Sequence, residues 1–416
     1  MSVASHFSAE ILLEFNKFYN DYDKCKQLCE RVDISDNNTL IYLYLHLCKL
    51  TDDKDEIVFY TNKANKIYKN NFSNNNSTIL NEFEWVKLEL YKYNLGELFN
   101  YDVYMLSDNA EMNTGRCLFK PKDIIYYRYR IEKQIGKGTF SNVYKCFDFK
   151  RNQHIAIKAI RNDKKFKKSG SKEVNILKQL SHKSICNYVK YFEVEQHYFI
   201  VFNLLQCNIY DYLKTNKFTP FKPNIVKQFT KQMLDVLVYI KDIDVIHCDI
   251  KPENILIEYI DDNNITVKLA DFGSAKKKNK TFVGYFVSRY YRAPEIVLEQ
   301  IECCDYLIDM WSISTIIYEL LTSEPLFSSK TEKNLIYDIY KELGVPPDTF
   351  IISCKKRKLL ESQLLYISQP ITLYNKLSSI QDIDIEAYNY LKHSLQWKKE
   401  NRLTCEKGLQ HKFILN

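Results

Sequence analysis

The chain has 416 residues, of which 45% are hydrophobic and 27% charged, and its net charge is +7 at pH 7. This is globular composition: no apolar run reaches the roughly 18 residues of a membrane span, and the amino terminus lacks the basic start and cleavage site of a secretory signal. We therefore expect an intracellular protein, cytoplasmic or nuclear, with no membrane partner and longer than one ordinary domain.

The cysteine spacing and the basic clusters argue against a zinc-binding protein and against a nucleic-acid-binding protein. The twelve cysteines include no C-x-x-C pair, so we expect reduced thiols rather than a zinc site. The densest basic clusters, 164–168 and 276–280, are interpreted as solvated loops, with a nuclear-import patch or a dock for acidic substrates as alternatives. No nucleic-acid-binding module is recognisable, so no nucleic-acid partner is expected.

The first quarter of the chain has the pattern of amphipathic helices. Apolar residues recur at helical spacing from Ala9 to about Phe99, which predicts about four helices in an extension over 1–106. A tetratricopeptide-like hairpin from Trp85 to Gly96 is conceivable, although no 34-residue period is visible. A polar linker is predicted over 107–128. We expect the helices to bind a partner that the sequence does not identify.

After the linker the apolar residues alternate, and this pattern indicates strands. Strands are predicted from Tyr129 to Ile135 and over 154–160, 188–194 and 198–203, with one helix from Ser171 to Leu180. These elements make a small antiparallel-sheet lobe, 129–203. The remaining residues, 204–416, are mostly helical, and the helix from Asp309 to Leu321 is apolar enough to be buried. The fold class is therefore α+β, with a sheet lobe and a larger helical lobe.

A glycine-containing run lies between the first two strands of the sheet lobe. Gly136, Gly138, Ser141 and Val143 belong to the sequence GKGTFSNV. A strand hairpin of this kind brings backbone N–H groups close to phosphates. Ser141 replaces the third glycine of the usual pattern, and for this run alone an ordinary hairpin turn is the alternative interpretation.

A lysine and a glutamate follow at a spacing that suggests an ion pair. Lys158 lies twenty residues after Gly138 in a predicted strand, and Glu173 follows on the predicted helix. A buried ammonium needs an anionic partner. We expect Glu173 to hold Lys158 over the phosphates of a nucleotide, although by itself Glu173 could be an exposed helix residue.

The most specific motif is HCDIKPEN, followed by DFG. In it Asp249 would orient an attacking hydroxyl, Lys251 would offset charge on the transferring phosphate, and Asn254 and Asp271 would supply oxygen ligands for magnesium. These are the parts of a phosphoryl-transfer site that uses ATP and Mg²⁺. Loop-capping roles for the same Asp and Asn residues are the alternative.

By these residues the segment from about Tyr129 to Phe413 resembles the eukaryotic protein kinases, and the resemblance implies their two-lobed fold. It extends to the APE motif with Glu295, to Asp309, whose family counterpart braces the catalytic loop, and to Arg402, which in the family pairs with that glutamate. The KPEN sequence is similar to that of the serine/threonine type.

The family also implies which residues surround adenine. Ala156, Phe202 and Leu205 match its cofactor-binding positions, with Phe202 as the bulky gatekeeper. Asn203 stands where a hinge glutamate is usual.

Further motifs narrow the subgroup. SRYYR before Ala293 and the later LGVPP resemble the CMGC group of cyclin-dependent, MAP, splicing and dual-specificity kinases, and HCDIKPENIL with DFGSA resembles the DYRK family. The Yak-type branch of that family is the nearest match, with the pre-mRNA-processing kinases as neighbours.

The DYRK resemblance implies a regulatory tyrosine. Tyr285 matches the tyrosine that relatives phosphorylate on themselves, and we hypothesise that its phosphate pairs with Arg289 and Arg292. Cys248 replaces the arginine that clamps phosphorylated loops in other kinases. Val283 replaces the first tyrosine of the family's Tyr-x-Tyr pair.

The sequence therefore predicts a monomeric, magnesium-dependent protein kinase that phosphorylates Ser or Thr of protein substrates. Arg292 resembles the arginine that favours proline just after the phosphoacceptor. A pseudokinase scaffold that acts through its N-terminal helices is the alternative, and the filled catalytic positions argue against it.

Overall fold

The computed structural model describes residues 21–31, 40, 43–44, 47, 56, 59–60, 63, 115, 117–121, 123–125, 129–148, 151, 153–194, 197–278, 287–300, 305–364, 373, 377 and 385–415. The conceivable repeat hairpin at 85–96, Val283 and Tyr285 lie outside these residues. Among the residues that the structure describes, no helix is both long and apolar enough to cross a membrane. Every described cysteine is a free thiol.

The chain divides into two compact units, the first made of residues 1–163 and 191–201. Its elements are α1 (Tyr22–Arg31), β1 (Ile124–Ile125), β2 (Tyr129–Lys137), β3 (Ser141–Asp148) and β4 (Gln153–Ile160). Strands β5 (Tyr188–Val194) and β6 (His197–Asn203) have residues in both units. One six-stranded sheet has the order β1-β2-β3-β4-β6-β5, with antiparallel pairing from β1 to β4. The predicted strands are confirmed.

In the N-terminal extension, α1 agrees with the predicted helical character. It buries Cys25 and Leu28, and farther along the chain Leu43 and Leu47 are buried as well. The Tyr22 and Tyr60 hydroxyls lie 3.3 Å apart. The extension therefore buries apolar side chains of its own.

Part of the segment predicted as a linker is docked on the sheet. The carbonyl of Cys117 accepts hydrogen bonds from the Tyr144 hydroxyl at 2.7 Å and the Asn142 amide at 3.1 Å. The amide of Ile131 donates to the carbonyl of Asp123 at 2.7 Å, next to the pairing of β1 with β2. The described residues before Tyr129 therefore extend the sheet unit.

The second unit comprises residues 164–190 and 202–416. Its helices are α2 (Lys164–Leu177), α3 (Ile209–Thr215), α4 (Pro223–Asp242), α5 (Pro294–Val297), α6 (Leu307–Thr322), α7 (Glu332–Leu343), α8 (Asp348–Ile352), α9 (Arg357–Leu364), α10 (Ile385–Ser394), α11 (Cys405–Leu409) and α12 (Lys412–Leu415). Its other strands are β7 (Cys207–Asn208), β8 (Val245–Ile246), β9 (Ile255–Ile260), β10 (Ile265–Leu269) and β11 (Lys276–Lys277). Single 3-10 turns cover Pro252–Asn254, Phe272–Ser274, Arg289–Tyr291 and Lys399–Asn401.

The predicted loop conformation of the basic clusters was wrong. Helix α2 begins at Lys164, seven residues before the predicted start, so the first cluster forms its opening turns. Lys276 and Lys277 pair with β8 as strand β11. Lysine is a good helix former, and in β11 the Lys277 ammonium donates to the Gln179 side chain at 3.1 Å and to the Ile243 carbonyl at 3.0 Å, so it is bound by the protein.

The predicted burial of the helix after Asp309 is confirmed. Helix α6 is buried from Leu307 to Leu321. Nearby, Arg402 makes a bidentate ion pair with Glu295, with both N–O distances at 2.6 Å and both side chains fully buried. Removing one member of such a pair would leave an uncompensated buried charge, so the two residues stabilise the unit only together.

Helix α6 also carries a buried carboxyl group. Glu319 accepts a hydrogen bond from the Tyr291 hydroxyl at 2.9 Å. Burial raises the pKa of Glu319 from 4.5 to about 7, and the bond from Tyr291 opposes this shift. Between these pH values the unfolded chain loses the proton while the folded protein keeps it, so folding loses stability as the pH rises from 4.5 to 7.

We predict that Glu319→Gln removes this pH dependence. Relative to the wild type, the variant should gain on the order of 3 kcal/mol in the free energy of unfolding as the pH rises from 4.5 to 7.5. Urea unfolding at several pH values measures the difference. Glu324→Gln, at an exposed residue just beyond the same helix, is the control. A constant difference between Glu319→Gln and wild type across this range would contradict the prediction.

Candidate active site

The loop that carries the HCDIKPEN motif, residues 247–254, is held by a buried carboxylate of α6. The backbone amides of His247 and Cys248 donate to the two oxygens of Asp309 at 2.7 and 3.0 Å. Burial raises the pKa of Asp309 to about 7, and the two amide bonds oppose this rise. The expected bracing of the loop by Asp309 is therefore present in the structure.

Asp249 lies at the centre of a polar cluster. One of its carboxylate oxygens accepts from the Ser288 hydroxyl at 2.7 Å and the Ser288 amide at 3.2 Å. The other accepts from the Lys251 ammonium at 2.8 Å and from the side-chain amide of Asn254 at 3.3 Å. Lys251 also donates to the Ser288 hydroxyl at 3.2 Å. The structure thus brings Asp249, Lys251 and Asn254 together, and it adds a serine hydroxyl.

A buried histidine connects Asp249 to the strand that precedes Asp271. The Asp249 amide donates to Nδ1 of His247 at 3.3 Å, and Nε2 lies 3.0 Å from the carbonyl of Ala270. Burial lowers the pKa of His247, so the neutral ring carries its proton on Nε2, where only a carbonyl is available as acceptor.

The predicted metal ligands offer oxygen atoms. The Asn254 side chain uses its nitrogen for Asp249, at 2.8 Å from the backbone carbonyl, which leaves its oxygen as the atom suited to a cation. Asp271 has an exposed side chain and a left-handed backbone with φ of 60°. Within the described residues no cluster of three or more His, Cys, Asp or Glu could hold a metal. Two oxygen donors are what magnesium takes when phosphates and water complete its shell, so the residues fit this ion.

In the first unit the predicted nucleotide-binding residues share one face of the sheet. Val143 on β3 pairs directly with Lys158 on β4 and with Gly136 on β2. Lys145 pairs with Ala156, two residues from Lys158. Because directly paired residues project to the same side, Gly136, Val143, Ala156 and Lys158 line one surface.

The hairpin that joins β2 to β3 is tight. The Gly138 amide donates to the Ser141 carbonyl at 2.8 Å. A Cβ atom at Gly136 would lie 3.3 Å from that of Val143, whereas one at Gly138 would make only an ordinary contact at 3.4 Å. A side chain would therefore crowd Val143 at Gly136, whereas Gly138 has room for one.

Three more predicted residues belong to the second unit. Glu173 is buried on α2, and Phe202 and Leu205 are half-buried at the end of β6 and just beyond it. The pairing of Glu173 with Lys158, a residue of the first unit, stays a prediction.

The segment before the APE motif is organised by one buried arginine. Nε and Nη2 of Arg292 donate to the carbonyl of Val287 at 3.1 and 2.6 Å, and Nη1 lies 3.2 Å from Glu332. Val287 has a left-handed backbone with φ of 67°. Arg289 donates instead to the carbonyl of Lys330. The two arginines of the regulatory hypothesis therefore hold different backbone carbonyls.

Two residues of this site carried no predicted role. Ser288 stood inside the SRYYR motif, where a hydroxyl next to basic residues was the available signal. Glu332 lies forty residues beyond Arg292 and has no local motif.

Comparison with known proteins agrees with this geometry. A family model of the protein kinase domain matches residues 129–414. The chain is 33% identical over 310 residues to dual specificity tyrosine-phosphorylation-regulated kinase 4 of Homo sapiens, covering 70% of this chain and 58% of the relative. It is 31% identical over 338 residues to probable serine/threonine-protein kinase dyrk2 of Dictyostelium discoideum, covering 77% and 36%.

A third relative matches over a longer stretch. Dual specificity tyrosine-phosphorylation-regulated kinase 3 of Mus musculus is 29% identical over 406 residues, covering 83% of this chain and 67% of the relative. The chain thus spans between about a third and two thirds of the length of these relatives. The expected resemblance to the DYRK family is confirmed, and the Yak-type branch stays a prediction. By the match over 129–414, the chain belongs to the protein kinases, and the relatives that it resembles include kinases of DYRK type.

Proposed function

We propose that this protein transfers the γ-phosphate of ATP to Ser or Thr of protein substrates in a magnesium-dependent reaction. The polar cluster around Asp249 carries the proposal. Its carboxylate accepts a serine hydroxyl at 2.7 Å and an ammonium at 2.8 Å. This is the environment that an attacking hydroxyl needs, with an acceptor for its proton and a cation beside its oxygen.

The roles of the loop residues follow from these contacts. A substrate hydroxyl that takes the place of the Ser288 hydroxyl would donate to Asp249, which orients its oxygen for attack and accepts its proton. Lys251 reaches both Asp249 and that oxygen position, so its charge would stabilise the transferring phosphate. Asn254 and Asp271 would hold magnesium, which neutralises charge on the phosphates when bound.

The residues on the sheet would hold the nucleotide. Gly136, Gly138, Ser141 and Val143 would lie over the phosphates, and Ala156, Phe202 and Leu205 would surround adenine. Lys158 is 93% buried, and a buried ammonium is stable only beside anions. Its proposed partners are Glu173 and the phosphates, and the shared sheet face with Val143 supports this assignment.

We predict that Asp249→Asn lowers kcat by roughly 10²- to 10⁴-fold, because the amide cannot accept the hydroxyl proton. Phosphate transfer from labelled ATP to a generic basic protein measures the rate, and Asp271→Asn, which loses a charged magnesium ligand, should abolish it. Asp262→Asn, at an exposed turn residue, is the matched control. Equal rates for wild type and Asp249→Asn would support the pseudokinase scaffold instead.

We also propose a preference for proline directly after the phosphoacceptor. The carbonyl of Val287 points to Arg292, which donates to it twice. A peptide amide lying over Val287 would therefore find no acceptor there and would lose its hydration without compensation. Proline has no such amide.

We predict that a peptide with Ser-Pro has a kcat/KM roughly 5- to 30-fold higher than the same peptide with Ser-Ala, which corresponds to about 1–2 kcal/mol. Arg292→Lys, which lacks the forked donors, should reduce this ratio. A peptide pair with the Pro-to-Ala change two residues farther on is the control. Equal kcat/KM values for the Ser-Pro and Ser-Ala peptides would exclude the proposed role of Val287.

We further propose that Tyr285 is phosphorylated by the enzyme itself. Its phosphate would engage Arg289 and Arg292. Arg292 is paired with Glu332, which also lies 3.1 Å from Lys356. A phosphate carries about −1.5 to −2 charges near pH 7, so it would compete with Glu332 for the guanidinium.

We predict that Tyr285→Phe lowers the turnover of freshly made enzyme at least several-fold, because the phosphate-dependent contacts cannot form. Mass spectrometry of the wild type should find phosphate on Tyr285. Thr281, four residues earlier, is the other phosphorylation site to be checked. Tyr210→Phe, at an exposed tyrosine of α3, is the control. Unchanged turnover in Tyr285→Phe would remove the hypothesis.

The remaining proposals concern partners. The N-terminal helices would bind another protein and the kinase would act as a monomer, in cytoplasm or nucleus, without nucleic-acid or membrane partners. Helix α1 buries Cys25 and Leu28, so the surface that it offers to a partner is its exposed, charged side.

A further inference from the structure

Strand β10 leads directly to Asp271 and lies at the edge of its sheet. The three-stranded sheet has the order β10-β9-β7. An edge strand presents a row of outward backbone N–H and C=O groups that need partners. In this protein those partners come from a helix and a loop instead of a fourth strand.

Two glutamines of α4 satisfy the first half of the strand. Gln228 accepts from the amide of Ile265 at 3.2 Å. Gln232 donates to the carbonyl of Ile265 at 2.8 Å and accepts from the amide of Val267 at 3.1 Å. Residues four apart on a helix lie on one face, so the two side chains imitate a neighbouring strand.

A loop satisfies the second half. The amide of Leu269 donates to the carbonyl of Ser184 at 2.8 Å, and the amide of Cys186 donates to the carbonyl of Leu269 at 2.8 Å. The outward amides of residues 265, 267 and 269 therefore all have partners, as do the carbonyls of residues 265 and 269.

Gln232 lies at the one irregular point of the strand pair. Thr266 pairs with Tyr259 but Val267 pairs with Ile257, so one residue of β9 is skipped between them. A bulge of this kind sets which side chains point to which face, and a slip by one residue reverses them. The amide group of Gln232 spans this shift, because it bonds Ile265 on one side and Val267 on the other.

We propose that Gln232 is a positioning residue for the magnesium site. By bonding the residues on both sides of the register shift, Gln232 fixes the register of β10 against β9. That register sets the position of Asp271, which follows Val267 by four residues. This inference rests on the proposed function, in which Asp271 is a magnesium ligand. It differs from a purely structural role, in which Gln232 would only add to stability.

The first test is independent of activity. In Gln232→Met the side-chain length is similar but both amide contacts are lost. Hydrogen–deuterium exchange of the full chain without ligands should be roughly 10-fold faster across 267–271, and unchanged across α6. Lys231→Ala, at an exposed residue of the same helix, is the matched control. Unchanged exchange in Gln232→Met would overturn the proposal.

The second test separates positioning from stability. The half-saturating Mg²⁺ concentration for binding of a fluorescent ATP analogue should rise roughly 10-fold in Gln232→Met, at the lower end of the effect of residues that orient metal ligands. Gln232→Glu keeps an acceptor for Val267 and should lie between this variant and wild type. A lower melting temperature with unchanged Mg²⁺ dependence would show a structural role alone and overturn the proposal. Nucleotide binding by wild type without any Mg²⁺ dependence would overturn the magnesium role of Asp271, and with it the proposed function.

Discussion

The carboxylate of Asp309 holds a strained backbone turn on which the whole catalytic loop depends. Cys248 has φ of 65°, in the left-handed region that costs a residue with a side chain about 1–2 kcal/mol. The amides of His247 and of Cys248 itself donate to Asp309 just before this turn, and a typical hydrogen bond contributes about 0.5–1.5 kcal/mol. The bonds therefore offset the strain. Asp309 is held in place for these bonds by the buried helix α6.

Next to that turn, His247 contacts the backbone near both the predicted catalytic residue Asp249 and the predicted magnesium ligand Asp271. His247 bonds the Asp249 amide with one ring nitrogen and the Ala270 carbonyl with the other. A charged ring would place a donor at Nδ1, facing another donor, so the arrangement requires the neutral form that burial favours. The positions of Asp249 and Asp271 are thus linked through one uncharged imidazole, while α4 holds the strand before Asp271 from the other side.

The sequence identified candidate site residues where they belong to a short local motif. Asp249, Lys251 and Asn254 lie within six residues, and in the structure the side chains of Lys251 and Asn254 both contact Asp249. Gln232 could not be predicted, because its partners are backbone groups more than thirty residues away and backbone groups leave no sequence signal. The start of α2 was missed although Asp163, a residue type that is favoured at helix N-caps, directly precedes Lys164.

Arg292 shows how far a motif can be extended once its contacts are known. The resemblance predicted a preference for proline and a phosphate contact for this residue, without a reason why both should involve one side chain. In the structure its forked donors serve the Val287 carbonyl while Nη1 faces Glu332. A phosphate that displaced Glu332 would leave the bonds to Val287 intact, because they use different nitrogens. Under the proposed function, phosphorylation would therefore change the electrostatics of the site without altering its preference for proline.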